Sequence, residues 1–345
     1  MRVLVTGHQG YLGSVLVPRL TAAGHEVVGL DAGLFADCTL GPAPEPVPTL
    51  RTDLRDVTAE HLAPVAPDAV VHLAALCNDP LGNLDPGLTY DVNHAATVRL
   101  AEAAKSVGAQ RFLFSSSCSL YGAGNDDAPL DENAAFAPLT PYGDSKIRSE
   151  QDLALLADDT FSPVFLRNAT AYGFSPRLRG DLVVNDLVGN ALLVGEVRLR
   201  SNGMAWRPLV HAEDIAAAFL ALLSAPRDSV HARAFNVGDS GENYLIRDVA
   251  ELVRDVVGGV VTYESGAAAD ARNYRVTCDR IAREIPTFRP EWTLRKGIEQ
   301  LAEAYGRHGL TLDDLMGERH QRLQRINALR RAGAIDDTLR WTEAQ

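Results

Sequence analysis

The chain has 345 residues, 46% of them hydrophobic and 23% charged, with a formal net charge of -12 and a pI near 5.2. This is ordinary globular composition, long enough for one large α/β unit with a smaller companion, and it excludes wholesale disorder and a fibrous repeat. The acidic balance argues against nucleic acid or an anionic membrane as partner, and without an apolar run of about 18 residues or a leader-like N-terminus the expected location is cytoplasmic.

In chain order, short β-branched or apolar runs at residues 3–6, 26–31, 69–73, 112–115 and 163–167 alternate with longer helical patterns. That alternation predicts βαβ units and a parallel, doubly wound α/β sheet. After the first run come Gly7, Gly10 and Gly13, then Leu12, Val15, Leu16 and Leu20 at helical spacing, with Pro18 inside the pattern and Gly24 as its stop. A chain turning sharply from strand to helix needs glycine where φ is positive and where backbone approaches a diphosphate seated on the helix N-terminus. Gly7, Gln9, Gly10, Tyr11, Leu12 and Gly13 are therefore candidate cofactor-binding residues. His8 stands where it would crowd or contact that cofactor.

Asp31 ends the second run about 20 residues further on, where a carboxylate accepts from both ribose hydroxyls and repels a 2′-phosphate, which favours NAD over NADP. The proline-rich stretch 41–48 must be a connection, separating the second strand from 49–54, and Asp53 and Leu54 follow the third strand, where a side chain is placed to meet the adenine. Helical patterns follow at 88–107 and 142–157, both suited to one sheet face. Beyond Thr170 the chain becomes turn-rich at 173–180, with helices near 182–193 and 213–223, a strand at 197–199, and a charged helical tail over 310–345. The expected division is a cofactor domain over 1–169, to which the chain returns around 205–238, and a mainly substrate-binding part with the tail over 170–345.

Tyr142 and Lys146 stand at i and i+4, on one helix face. An unperturbed phenol titrates near 10, and lowering it by about three units needs ~4 kcal/mol of anion stabilisation. A nearby ammonium in a dry cleft supplies much of that, so Tyr142 is a candidate base for a hydroxyl proton. The four cysteines, Cys38, Cys77, Cys118 and Cys278, lie far apart, which suggests no metal site and no disulfide framework.

The glycine spacing, the run His72-Leu73-Ala74-Ala75, Asn93, the segment from Ser115 to Gly122, and Tyr142 with Lys146 together resemble the extended short-chain dehydrogenase/reductase family. The likeness is strongest to its nucleotide-sugar epimerases and dehydratases and covers roughly residues 1–300. It implies a Rossmann-type domain binding NAD, with Leu73, Ala74, Ala75, Asn93, Ser115, Tyr142 and Lys146 at the cofactor and Ser117 as the catalytic hydroxyl. For the substrate it implies Asn185, Arg207 and Arg272 near a diphosphate, and Asp79 near a sugar hydroxyl. Thr170 stands where the family usually has asparagine, and Asn168 is the neighbouring candidate for that contact.

Dehydratases of the family follow the catalytic hydroxyl with Asp and Glu, whereas this chain has Cys118 and Ser119. The expected activity is thus NAD-dependent epimerisation of a nucleotide sugar through a transient keto intermediate. The alternatives are a dehydratase using Asp79 or another loop acid, a net sugar dehydrogenase, and a catalytically silent NAD-sensing protein. Similar proteins pair the two long helices across a dimer, so the resemblance implies a homodimer, and it assigns no chemistry to the last forty or so residues.

Overall fold

The computed structural model describes residues 1–123, 128–264 and 270–342. Among these residues the strands are, in chain order, β1 (Arg2–Thr6), β2 (Glu26–Asp31), β3 (Thr49–Arg51), β4 (Ala69–His72), β5 (Arg111–Ser117), β6 (Ser162–Asn168), β7 (Thr170–Tyr172), β8 (Glu196–Leu199), β9 (Trp206–His211), β10 (Arg233–Val237), β11 (Asn243–Leu245) and β12 (Val260–Tyr263). Seven of them form one parallel sheet in the order β10-β6-β5-β4-β1-β2-β3. Successive side chains leave it on opposite faces, so Val3 and Val5 join one core while Leu4 joins the other, and Leu113 parts in the same way from Phe112 and Phe114. Both faces are covered, which is why these strands read as nearly continuous apolar runs. The helices Gly13–Ala22 and Ala212–Ser224 pack on the first face, and Ala96–Ser106 and Pro141–Leu155 on the second.

The strand order reverses at β1, which lies between β2 and β4, and this opens a crevice at their carboxyl ends. Beside it stand two small sheets, β11-β9-β7 and β12-β8, over a core that includes Val184, Leu187, Val249, Ile298 and Leu301. No helix among the described residues is long and apolar enough to cross a membrane.

The third strand ends at Arg51, and Asp53 follows it as the cap of a tight turn over Leu54–Asp56. One expectation needs correction. The expected helix over 88–107 is Pro86–Tyr90, a widened turn at Asp91–Ala95 and then Ala96–Ser106. Inside the widened turn, buried Asn93 reaches sideways to the Leu76 backbone. In the tail, Ile326, Leu329, Ile335 and Leu339 pack against Leu76, Leu81 and Leu88 beside the crevice.

Candidate active site

A cavity of about 1250 Å³ follows the carboxyl ends of the strands, with Asp31 and Asp53 at the β2–β3 side, Gly10 and Ala74 near its middle, then Ser117 and Tyr142, and Arg207 and Arg272 beyond. Gly7 holds φ at 69°, and a Cβ there would stand 2.8 Å from the Ala74 nitrogen, so the turn after β1 lies directly on the chain leaving β4. The helix Gly13–Ala22 starts at the cavity wall, where Gly10, Tyr11 and Leu12 lie and where its opening amides have no carbonyl one turn earlier.

Asp31 accepts the Gln9 amide on Oδ2 at 3.1 Å and the Gly33 amide on Oδ1 at 2.8 Å, which aims the carboxylate and leaves each oxygen a further lone pair. Asp53 is engaged by Arg55, at 2.9 Å to its Nε and 2.6 Å to Nη2, but still lines the cavity with Leu54. Leu73, Ala74, Ala75 and Ser115 line it from the ends of β4 and β5. Asn168 donates to the Ser115 hydroxyl at 3.0 Å, while its own Oδ1 is buried without a partner at the cavity wall. An acid aimed from β2, a glycine turn beneath a helix N-terminus and an unsatisfied acceptor further along make a donor and acceptor set that fits a dinucleotide.

Two residues expected at this end are elsewhere. His8 turns under β2, with Nε2 3.0 Å from the Thr49 hydroxyl and its ring filling the space left by Gly29. Asn93 is 1% exposed, and its amide is taken up by Leu76 N–H at 2.7 Å, the Leu76 carbonyl at 3.1 Å and the Ser145 hydroxyl at 3.3 Å. It braces the β4 loop against the helix that carries Tyr142 instead of facing the cavity.

That helix begins cleanly, with the Thr140 hydroxyl accepting the Gly143 amide at 3.3 Å and Pro141 in the first turn. Tyr142 therefore stands at the helix mouth and lines the cavity together with Ser117. Ser117 accepts from the Ser119 amide at 3.2 Å and the Ser119 hydroxyl at 2.8 Å. Lys146, 3% exposed, donates to the Ser115 carbonyl at 2.7 Å and stands 5.7 Å from the Tyr142 ring centroid. Burial lowers its ammonium to about 8. Burial raises the Tyr142 phenol, and the neighbouring Ser117 hydroxyl lowers it too little to reverse this. The expectation that Lys146 brings the phenol down is thus unmet in this geometry, because desolvation of the phenolate outweighs a cation aimed at a backbone carbonyl.

Further along, Arg207 bonds Asp270 at 2.6 Å, and Arg272 bonds Asp270 at 2.9 Å and Asp79 at 2.6 Å. Asp79 in turn accepts from the Thr140 hydroxyl at 2.7 Å, so it is tied to the helix of Tyr142. Thr170 lines the cavity from β7. Asn185 does not: it is fully buried, accepting the Gly173 amide at 3.0 Å and donating to the Arg179 carbonyl at 3.0 Å, which shapes the loop beneath the cavity. Cys118 points away, its thiol on the Arg167 carbonyl at 3.1 Å, whereas Ser119 faces in. Sequence reasoning missed Asp270, Arg179 and Asp181, all at the wall. The closely spaced opposite charges of Arg179 and Asp181 were the available signal, and they form an ion pair of 2.8 Å.

Comparison with known proteins agrees with this geometry. The profile described as the NAD dependent epimerase/dehydratase family matches residues 3–238. A UDP-glucose 4-epimerase of Mycolicibacterium smegmatis is 30% identical over 316 residues, covering 88% of this chain and 98% of that protein. Two solved structures superpose with a TM-score of 0.75, each covering 89% of this chain and 99% of the other: MoeE5 in complex with UDP-glucose and NAD, 29% identical, and the Thermus thermophilus UDP-glucose 4-epimerase complex with NAD, 27% identical. With the glycine turn, the aimed aspartate and the serine–tyrosine pair on one cavity, the chain belongs to the NAD dependent epimerase/dehydratase family.

Proposed function

We propose that the protein inverts one hydroxyl-bearing carbon of a nucleotide sugar, a UDP-hexose being the first candidate by likeness to the relatives above. The observation that carries this reading is one cavity holding the Ser117–Tyr142 pair between a dinucleotide cradle and two arginines suited to a diphosphate. NAD, when bound, supplies the hydride acceptor and donor. Tyr142 takes the sugar hydroxyl proton and later returns it, while Ser117 steadies the oxygen as it becomes a carbonyl. Lys146, with Nζ 5.7 Å from the Tyr142 ring centroid, keeps a cation beside the pair. Arg207 and Arg272 exchange carboxylate partners for phosphate oxygens, which their planar forks match.

An epimerase needs no further acid, and at the positions of the dehydratase acids Cys118 is buried and Ser119 is a hydroxyl. Asp79, a carboxylate on the same cavity, is held by Arg272 and Thr140. The test is incubation with UDP-, dTDP-, GDP- and CDP-sugars. An epimer formed with no net change in cofactor absorbance supports the reading, loss of one water shows a dehydratase, and accumulating NADH shows a dehydrogenase. The same reading places the enzyme in the cytoplasm, in keeping with four free cysteines, and as a homodimer across the helices Ala96–Ser106 and Pro141–Leu155, the second of which leaves Leu155 83% exposed. Light scattering on the purified protein decides the stoichiometry.

A further inference from the structure

The segment after residue 310 links the two lips of the crevice. Ile326, Leu329 and Leu339 pack with Leu76 and Leu81 in the loop after β4, while the Trp341 indole donates to the Ala32 carbonyl at 2.6 Å in the loop after β2. Arg322, which opens the helix Arg322–Arg331, lines the cavity together with Gly10, Tyr11 and Leu12 although it is only 2% exposed. Its guanidinium lies 4.4 Å from the Phe35 ring centroid and its Nη2 donates to the Arg177 carbonyl at 3.0 Å. Its Nη1 is buried without a partner, as are Nε and Nη1 of Arg177. Arg179 beside them is neutralised by Asp181, whereas Arg322 and Arg177 form no ion pair among the described residues. Buried cations left unpaired are costly, and a cavity wall that keeps one, as this wall keeps Arg322, is built to meet an anion.

We propose that Arg322 is a diphosphate-binding residue for NAD, carried by a C-terminal segment that closes over the cofactor. The inference rests on the reading above only in needing bound NAD. Location selects the cofactor's diphosphate over the sugar nucleotide's: Arg322 stacks on Phe35, shortly after Asp31, and shares the wall with the glycine turn, whereas Arg207 and Arg272 gather around Asp270 and Asp79.

The test uses the full-length protein, stripped of nucleotide, with Arg322→Met and Arg322→Lys. Calorimetric titration with NAD, ADP-ribose, adenosine and UDP separates the contacts. Arg322→Met should weaken NAD and ADP-ribose by about tenfold or more and leave adenosine and UDP unchanged, with Arg322→Lys between. The Met variant should also emerge from purification with less bound NAD, measured by chromatography of the acid-released nucleotide. Unchanged ADP-ribose affinity overturns the assignment, as does an equal loss for adenosine, or a loss confined to UDP. Should the Met variant not fold, Arg322→Lys with unchanged ADP-ribose affinity is equally decisive against it. A wild-type protein that binds no NAD at all would instead overturn the cofactor reading itself.

Discussion

At the scale of single residues, the site sets chemistry against stability. Lys146 has its ammonium lowered to about 8 by burial against an ordinary 10.5, so the unfolded chain binds the proton more readily than the folded one. Stability is therefore depressed below pH 8 and recovers as pH rises from about 8 toward 10.5. Replacing Lys146 with Met should abolish turnover yet stabilise the protein at pH 7 by roughly 1–3 kcal/mol, a gain that shrinks at alkaline pH and is read by denaturant melts across that range. Tyr142→Phe should lower kcat by at least about a hundredfold while leaving NAD content unchanged, as steady-state rates and nucleotide release will show. Asp31→Ser removes the carboxylate aimed by Gln9 and Gly33, and should raise the ratio of NADP to NAD affinity in direct titration.

At the scale of elements, a buried network fastens the helix Pro141–Leu155 to the sheet. Glu150 on that helix bonds Arg167 of β6 at 2.6 Å and accepts from Ser116 of β5 at 2.5 Å, with both charged side chains 6% exposed. Removing one partner strands the other's charge, so Glu150→Ala should cost about 3–5 kcal/mol in urea denaturation, more than loss of any surface pair. This explains why helix existence was legible from apolar spacing while the break at Asp91–Ala95 was not. Periodicity reports which face is buried, but the widened turn depends on Asn93 meeting Leu76, a contact with a loop 17 residues earlier in the chain. His8 is a similar case, since its orientation depends on the space left by Gly29 on a neighbouring strand.

At the scale of the whole molecule, the cofactor cleft joins parts drawn from both ends of the chain. Stripping NAD should lower the melting temperature, and restoring it at one hundred times its Kd should recover about 2.7 kcal/mol, measured by thermal unfolding. The parallel sheet, the glycine turn, Asp31 and the i, i+4 spacing of Tyr142 and Lys146 were determined by sequence alone, because each follows from local periodicity or from short-range backbone geometry. Tertiary structure alone decided that Asn93 and Asn185 brace loops, that Lys146 aims at the Ser115 carbonyl, that Asp270 joins Arg207 to Arg272, and that Arg322 returns to the cleft. Those outcomes depend on desolvation and on partners distant in sequence, neither of which a linear pattern of residue types contains.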